Sequence, residues 1–279
     1  MGTFELTLLI GAGSFAAGLL GALTGLGGGV VIVPLLTLAF GIDIRYAVGA
    51  SLVSVIATSS GAAAAYVREG YSNIRIGMFL EIATSFGALF GAYLAGVVSP
   101  KWIGVVFGLV LLYSAWQSLR GQTERPCKEG ERDRIAALLK MHGTFPTDKG
   151  PREYCVHCVP AGFVMMLGAG TLSGLLGIGS GALKVIAMDK VMGLPFKVST
   201  TTSNFMIGVT AAASAGIYLN RGYIDPGLSM PVMLGVAAGS LVGAHVLIRS
   251  HPRVLRAVFA AVIFVLAVEM LVNSLRGRI

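Results

Sequence analysis

The sequence predicts an all-α integral membrane protein built from two related halves, on three observations. Hydrophobic residues make up 55% of the 279-residue chain and charged residues 12%, with a mean hydropathy of +0.80; that is too apolar for an ordinary soluble domain of this length. Apolar runs of about 20 residues carry few charges, which fits helical spans, because a membrane barrel shows shorter segments of alternating polarity. Residues 18–107 recur without a gap 152 positions later: Gly18, Gly25, Gly27, Gly29, Ser51, Thr58, Tyr66 and Pro100 meet Gly170, Gly177, Gly179, Gly181, Ser203, Thr210, Tyr218 and Pro252. Two copies of one unit in a membrane chain is the arrangement of transporters whose halves enclose one substrate site.

In each half the last three apolar runs read as full crossings, about 46–66, 76–97 and 102–119, then 198–218, 228–248 and 254–275. At a rise of about 1.5 Å per residue each is long enough to span hydrocarbon. The leading segments, 6–40 and 160–192, are too long for one span and are interrupted by Gly25-Leu26-Gly27-Gly28-Gly29 and Gly177-Ile178-Gly179-Ser180-Gly181. Each glycine costs a helix roughly 1 kcal/mol, so each segment is expected to form two short helices meeting at a glycine turn, with 30–40 and 182–192 returning. Such a hairpin adds an even number of crossings. Each half then has an odd total, which gives two inverted-topology repeats, each a glycine-broken helical hairpin followed by three transmembrane helices.

Loop charge supports the inversion. It gathers 16 Lys and Arg on one side, or 15 with Lys184 counted in the membrane, including Arg68, Arg75 and all those of 120–152, against Arg45, Lys101, Arg221, Arg276 and Arg278 on the other. Parallel halves would split the same residues 13 to 8. Basic loops stay in the cytoplasm, which places the central stretch there. The chain thus divides into an N-terminal transmembrane repeat (1–120), a polar cytoplasmic linker (121–157) and a C-terminal transmembrane repeat (158–279). Within the linker, the apolar patch Ile135-Ala136-Ala137-Leu138-Leu139 reads as one amphipathic helix in a solvated connector, or as a small regulatory or docking element. The net charge of +8 does not mark a nucleic-acid binder, since the basic residues sit at the ends of apolar runs rather than in one footprint. No basic region precedes the first apolar stretch, which contains Glu5, so a cleaved signal peptide is not expected.

The glycine turns are the strongest candidates for chemistry. A helix that begins inside the membrane presents unpaired N–H groups and the positive end of its dipole, both of which an anion satisfies. Gly27, Gly28, Gly29, Gly179, Ser180 and Gly181 are therefore candidate substrate ligands. The competing use of membrane glycines is close helix packing, to which Gly87-x-x-x-Gly91 and Gly239-x-x-x-Gly243 are assigned. Small polar residues open the next span: Ser51, Ser54, Thr58 and Ser59 in one half, residues 199–204 in the other. Ser51, its equivalent Ser203, and Asn204 either donate to a polar ligand or bond back to their own helix. Lys184 stands three residues past Gly181, where the first half has Ile32; it either faces the anion or snorkels to the interface. Glu81, His245 and Glu269 also fall within apolar spans, as proton relays or as interfacial groups. No residue is assigned a catalytic role, and an enzyme is not expected.

The three cysteines, Cys127, Cys155 and Cys158, fall in or beside the linker. With His142 or His157 they make a possible structural zinc site. The alternatives are redox or sulfur chemistry at Cys155-Val156-His157-Cys158, and ordinary thiols kept reduced in a cytoplasm. No other cofactor is expected.

Gly18-Leu19-Leu20-Gly21-Ala22-Leu23-Thr24-Gly25-Leu26-Gly27-Gly28-Gly29 with Val33-Pro34, followed by Ala50-Ser51-Leu52, resembles the signature of the sulfite exporter TauE/SafE family, also called the toluenesulfonate uptake permeases. Residues 170–181 and Thr202-Ser203-Asn204-Phe205 resemble its second copy, which departs by having Ser180 in the glycine run and Lys184-Val185-Ile186 where the first copy has Ile32-Val33-Pro34. The resemblance covers nearly the whole chain outside the linker. It implies a carrier of small sulfur-containing anions, such as sulfite, sulfoacetate or related organosulfonates, working outward across a bacterial or archaeal plasma membrane, with the lipid bilayer and that anion as its partners. The residues alone leave two alternatives open, an anion channel with the glycine turns as its filter and a sulfur-handling redox protein using the loop cysteines. They do not fix the oligomeric state.

Overall fold

The computed structural model describes residues 3–24, 28–68, 72–119, 134–139, 141, 143–147, 150–249 and 252–277 and, within them, all side chains but those of 3–4, 22–24, 61–68, 117–119, 134, 146–147, 150–152, 182, 243–249 and 252–259. In the first half, α1 (Thr3–Thr24) runs to the first glycine turn, and α2 (Gly29–Pro34) returns and widens into a π-helical turn (Leu35–Ala39). After it come α3 (Ile44–Arg68), α4 (Ile74–Val97) and α5 (Pro100–Leu119). Next are α6 (Arg134–Leu138) and an antiparallel hairpin of β1 (Gly143–Thr147) and β2 (Gly150–Tyr154). The second half has α7 (Val159–Leu176), α8 (Gly181–Ile186) with a π turn (Ala187–Val191), α9 (Phe196–Asn220), α10 (Pro226–Arg249) and α11 (Pro252–Leu275). From α2 through α4, each element begins and ends 152 positions before its counterpart. The repeat in sequence is thus a repeat of structure.

The six expected crossings agree with α3–α5 and α9–α11 to within two residues at each end. The first arms of the broken segments differ from expectation. They are not short: α1 has 22 residues and α7 has 18, so the glycines end a full-length helix. The π turns occupy matching places although Pro34 precedes the first and Ile186 the second. A missing proline N–H therefore does not explain the widening.

Packing between the halves is reciprocal. α1 lies against α10 and α7 against α4; α3 meets α9 and α5 meets α11. Glycine makes these approaches possible: a Cβ on Gly87 or Gly91 would collide with backbone of Leu167 or Thr171 in α7, and one on Gly239 with the carbonyl of Phe15 in α1. Small residues that let helix backbones close in this way are the packing device of membrane helices. Gly77 beside Phe205, Thr84 beside Thr210 and Ala92 beside Arg221 show α4 running parallel to α9. Arg45, at the start of α3, donates to the carbonyls of Ala95 (3.1 Å) and Val98 (3.0 Å) at the end of α4, so α3 and α4 are antiparallel. α3 consequently runs against its own repeat counterpart, α9.

The outer surface is apolar. Met78, Ile82, Phe86 and Phe90 recur every four residues along α4, and each is more than half exposed, as a face turned to lipid requires. Among the described residues, α4 and α7 are long and apolar enough by themselves to cross a membrane.

The described residues of the linker pack onto the helices. Its hairpin contributes Phe145 and Tyr154 to a buried cluster with Ile76 and Leu80 of α4 and Met188 and Met192 of the second half. Asn73 fastens it. The Asn73 amide nitrogen donates to the Tyr154 hydroxyl (2.7 Å) and the Met141 carbonyl (3.1 Å), while its oxygen caps α4 by accepting from the Ile76 N–H (3.1 Å). Burial pushes the Tyr154 phenol above its ordinary pKa, against the smaller opposing effect of the Asn73 bond. Past the hairpin, the His157 N–H donates to the Met192 carbonyl (3.0 Å), closing the linker onto the end of the π turn.

Candidate functional site

The second glycine turn is bent by residues in the left-handed region. Gly177 and Gly179 have φ of +67° and +70°, which glycine adopts freely, and Ser180 joins them at +45° despite its Cβ, a conformation that costs a non-glycine residue about 1 kcal/mol or more. Ser173, before the turn, and Ser180, within it, have buried hydroxyls without a hydrogen-bond partner among the described residues. Such groups are costly inside a protein and are relieved by a polar ligand. In the first turn Gly27 lies outside the described residues, with Gly25 and Leu26. Gly28 and Gly29 are buried, and the Gly28 carbonyl accepts from the Val31 and Ile32 N–H groups, both at 3.1 Å, to start α2.

The two turns meet. A Cβ placed on Gly29 would lie 3.1 Å from the carbonyl oxygen of Gly177 and 2.8 Å from Ser51 Oγ. Ser51 Oγ in turn donates to that carbonyl at 2.8 Å, and Ser203 Oγ donates to the Gly181 carbonyl at 3.2 Å. Both candidate serines are therefore at the turns, with their single hydroxyl hydrogens directed to backbone. Asn204, the next residue, is half-buried. Ser54, Thr58 and Ser59 bond back to carbonyls of their own helix.

Lys184 does not snorkel; it is fully buried. Its ammonium donates to Thr210 Oγ1, and Thr210 has one hydroxyl hydrogen to give, with Glu81 Oε1 as its shortest acceptor at 2.7 Å. Ser85 Oγ donates to the same carboxylate oxygen at 3.1 Å. Lys184 Nζ stands 4.0 Å from Glu81 Oε2, and that oxygen has no hydrogen-bond partner among the described residues. Lysine on α8, threonine on α9 and glutamate on α4 thus form one buried polar chain between the halves.

Reading the sequence missed the role of Thr210 and the pairing of Lys184 with Glu81. A signal was present: the repeat sets Ile32 opposite Lys184 and Met233 opposite Glu81, so two charges break the repeat in opposite senses. Glu269 is exposed on α11, and the side chain of His245 lies outside the described residues.

Of the candidate metal ligands, Cys127 and His142 lie outside the described residues. Cys158 is a free, exposed thiol, and Cys155 is disulfide-bonded; a zinc site using all three thiolates requires that bond to be reduced. Among the described residues, no group of three or more His, Cys, Asp or Glu is placed to hold a metal.

The chain is similar to known membrane proteins. It is 27% identical over 237 residues to the probable membrane transporter protein YunE of Bacillus subtilis, covering 82% of this chain and 84% of that one. With the probable membrane transporter protein YdhB of the same organism it shares 26% over 231 residues, 82% and 86% of the two chains. With a probable membrane transporter protein of Xylella fastidiosa the identity is 24% over 276 residues, 97% and 96% of the two chains. No solved structure matches the chain. Residues 10–270 match the family model of the sulfite exporter TauE/SafE proteins. This chain, with its paired glycine turns, belongs to the sulfite exporter TauE/SafE family of membrane transporters.

Proposed function

We propose that the protein exports small sulfur-containing anions, such as sulfite, sulfoacetate or related organosulfonates, across a bacterial or archaeal plasma membrane. It does so by alternating access around a site between the two glycine turns. The observation that carries this reading is the convergence of the turns at Gly29 and Gly177, beside the unpartnered hydroxyl of Ser180. Gly28, Gly29, Gly179 and Gly181 are the backbone ligands of this reading, with Ser51 and Ser203 bonded to the second turn; Gly27, outside the described residues, and Asn204 complete the proposed set. Lys184 supplies a positive charge on the returning helix α8, partly offset by Glu81.

The halves act as inverted, multi-pass repeats. The antiparallel course of α3 and α9 and the uneven loop charges support this, and rocking of inverted repeats is the usual basis of alternating access. The substrate class rests on the family, whose name contains sulfite export. In the linker, Cys127, Cys155 and Cys158 are proposed to bind zinc when reduced, which metal analysis of the reduced, purified protein tests.

The test is thermal shift of detergent-purified protein against sulfite, thiosulfate, sulfate, sulfoacetate, taurine and chloride, followed by flux into liposomes. Saturable stabilisation by a sulfur oxyanion and saturable flux are expected, because a ligand that prefers the folded state raises its apparent stability. Flux that does not saturate would make the turns a channel filter instead.

A further inference from the structure

We propose that Glu81 is a proton-binding site coupled to the anion, taking up one proton at Oε2 each time an anion enters between the glycine turns. The inference rests on the reading of those turns as the anion site.

The geometry around Glu81 is that of an incompletely compensated pair. Lys184 is fully buried and Glu81 nearly so, yet their charged atoms are 4.0 Å apart, and Glu81 Oε2 is a buried acceptor to which nothing donates among the described residues. Without an anion at the turns, the charges of lysine and glutamate sum to zero. Add an anion at the turn from which α8 rises and the buried site carries a net negative charge. Uncompensated charge in a low-dielectric interior is expensive, and a carboxyl group meets it by taking up a proton. Protonation at Oε2 leaves Lys184 to balance the anion and turns Glu81 into a neutral acid.

Among the described residues, the neighbouring elements bring no second ion-pair partner to Glu81; the hairpin packed on Ile76 and Leu80 adds Tyr154, which bonds Asn73. Of the elements packed on this part of α4, α7 has no titratable side chain, and α9 carries Lys197 and Tyr218 near its two ends. The π turn after α8 carries Asp189 and Lys190, which pair with each other at 3.4 Å. On α4 itself Arg75 and Tyr93 lie near the ends, with Glu81 between them. Among the described residues, Lys184 is the cation within ion-pair range of Glu81. The repeat has Ile32 and Met233 at the matching positions, so the fold provides one such site and not two.

Glu81 and Ser85 also line an apolar groove of about 490 Å³ walled by Met78, Ile82, Phe86 and Leu89, which opens to the surface of α4. A hydrophobic carboxyl reagent can enter there. Transport of a monoanion with its proton moves no net charge. Flux then follows the anion's own gradient and the pH gradient, and is indifferent to membrane voltage.

The experiment is calorimetric titration of the purified protein at pH 7 with methanesulfonate and with ethanesulfonate, monoanions that do not titrate near neutrality, in buffers of different ionisation enthalpy. Wild type is expected to take up about one proton per anion bound, and E81Q to bind without uptake. Binding by wild type without proton uptake, or uptake unchanged in E81Q, overturns the inference and leaves the anion site standing. Absence of binding by either anion overturns the anion reading and this inference with it. Labelling of wild type by dicyclohexylcarbodiimide, which attacks protonated carboxyl groups in apolar surroundings, needs no variant: methanesulfonate should raise labelling at Glu81, and unchanged or lower labelling overturns the proposal.

Discussion

Ser51 Oγ donates a 2.8 Å hydrogen bond to the carbonyl oxygen of Gly177, so a helix of the first half holds the glycine turn of the second. The turn places this carbonyl beyond the regular helical ladder, where a side chain takes the place of the missing backbone donor. Because Gly29 lies against both partners, the bond also sets the spacing between the two turns.

Ser51→Ala removes that donor and leaves a buried carbonyl unsatisfied. The expected loss is about 1–3 kcal/mol of stability, with weaker anion binding. Thermal unfolding in detergent with and without sulfite reads both, and an unchanged melting temperature would show that the bond is not formed.

Gly29→Ala asks for space that is absent, since its Cβ would sit 2.8 Å from Ser51 Oγ and 2.9 Å from a Val55 methyl group. Overpacking of this kind costs about 1–3 kcal/mol, and the turns should part far enough to abolish transport while the protein still inserts. Gly28→Leu, directed at Val236, should do the same. Gly216→Ala in α9 is the control: nothing lies within 4 Å of its Cβ, and alanine favours a helix by about 1 kcal/mol. Liposome flux and membrane-fraction yield separate the two outcomes; normal flux through the Gly28→Leu variant would sink the cradle.

Lys184→Met strands the Glu81 carboxylate, and Glu81→Gln strands the ammonium. Each single change should cost about 3–5 kcal/mol, as breaking a buried pair does. The double variant should cost clearly less than the sum, because it leaves no uncompensated charge. A thermodynamic cycle of the four proteins measures the coupling, and additive costs would mean that the two groups do not interact.

Asn73→Asp separates two duties of one side chain. The aspartate still accepts from the Ile76 N–H and caps α4, but it cannot donate to Tyr154 or Met141. The hairpin should loosen, with faster hydrogen exchange over 143–154 and little change in α4. With alkali, the sign follows from the raised Tyr154 pKa: its stabilisation is fully present below the unfolded-state value near 10 and is lost only as pH rises through the higher folded-state value. Hairpin protection should therefore hold to at least pH 10 and fail above it.

The long helices, the glycine breaks and the repeat were legible in the sequence because each is a local or one-dimensional pattern. Spans follow from runs of apolar residues, breaks from consecutive glycines, and the relation between halves from identical residues at one offset. Gly87, Gly91 and Gly239 were assigned to packing from spacing alone, and the backbone of the facing helix does lie against each. The linker hairpin was not legible, since two short strands mixing polar, proline and aromatic residues have no period to detect, and their burial depends on Asn73 and on Met188 and Met192 far away in the chain. The same limit applies at the site. A lysine in an apolar run announces that it needs a partner but does not name it. Glu81 becomes that partner because the backbones of α4 and α7 close on their glycines while α9 lies alongside and carries Thr210 between the two charges. That is a matter of helix packing, which only the tertiary structure decides.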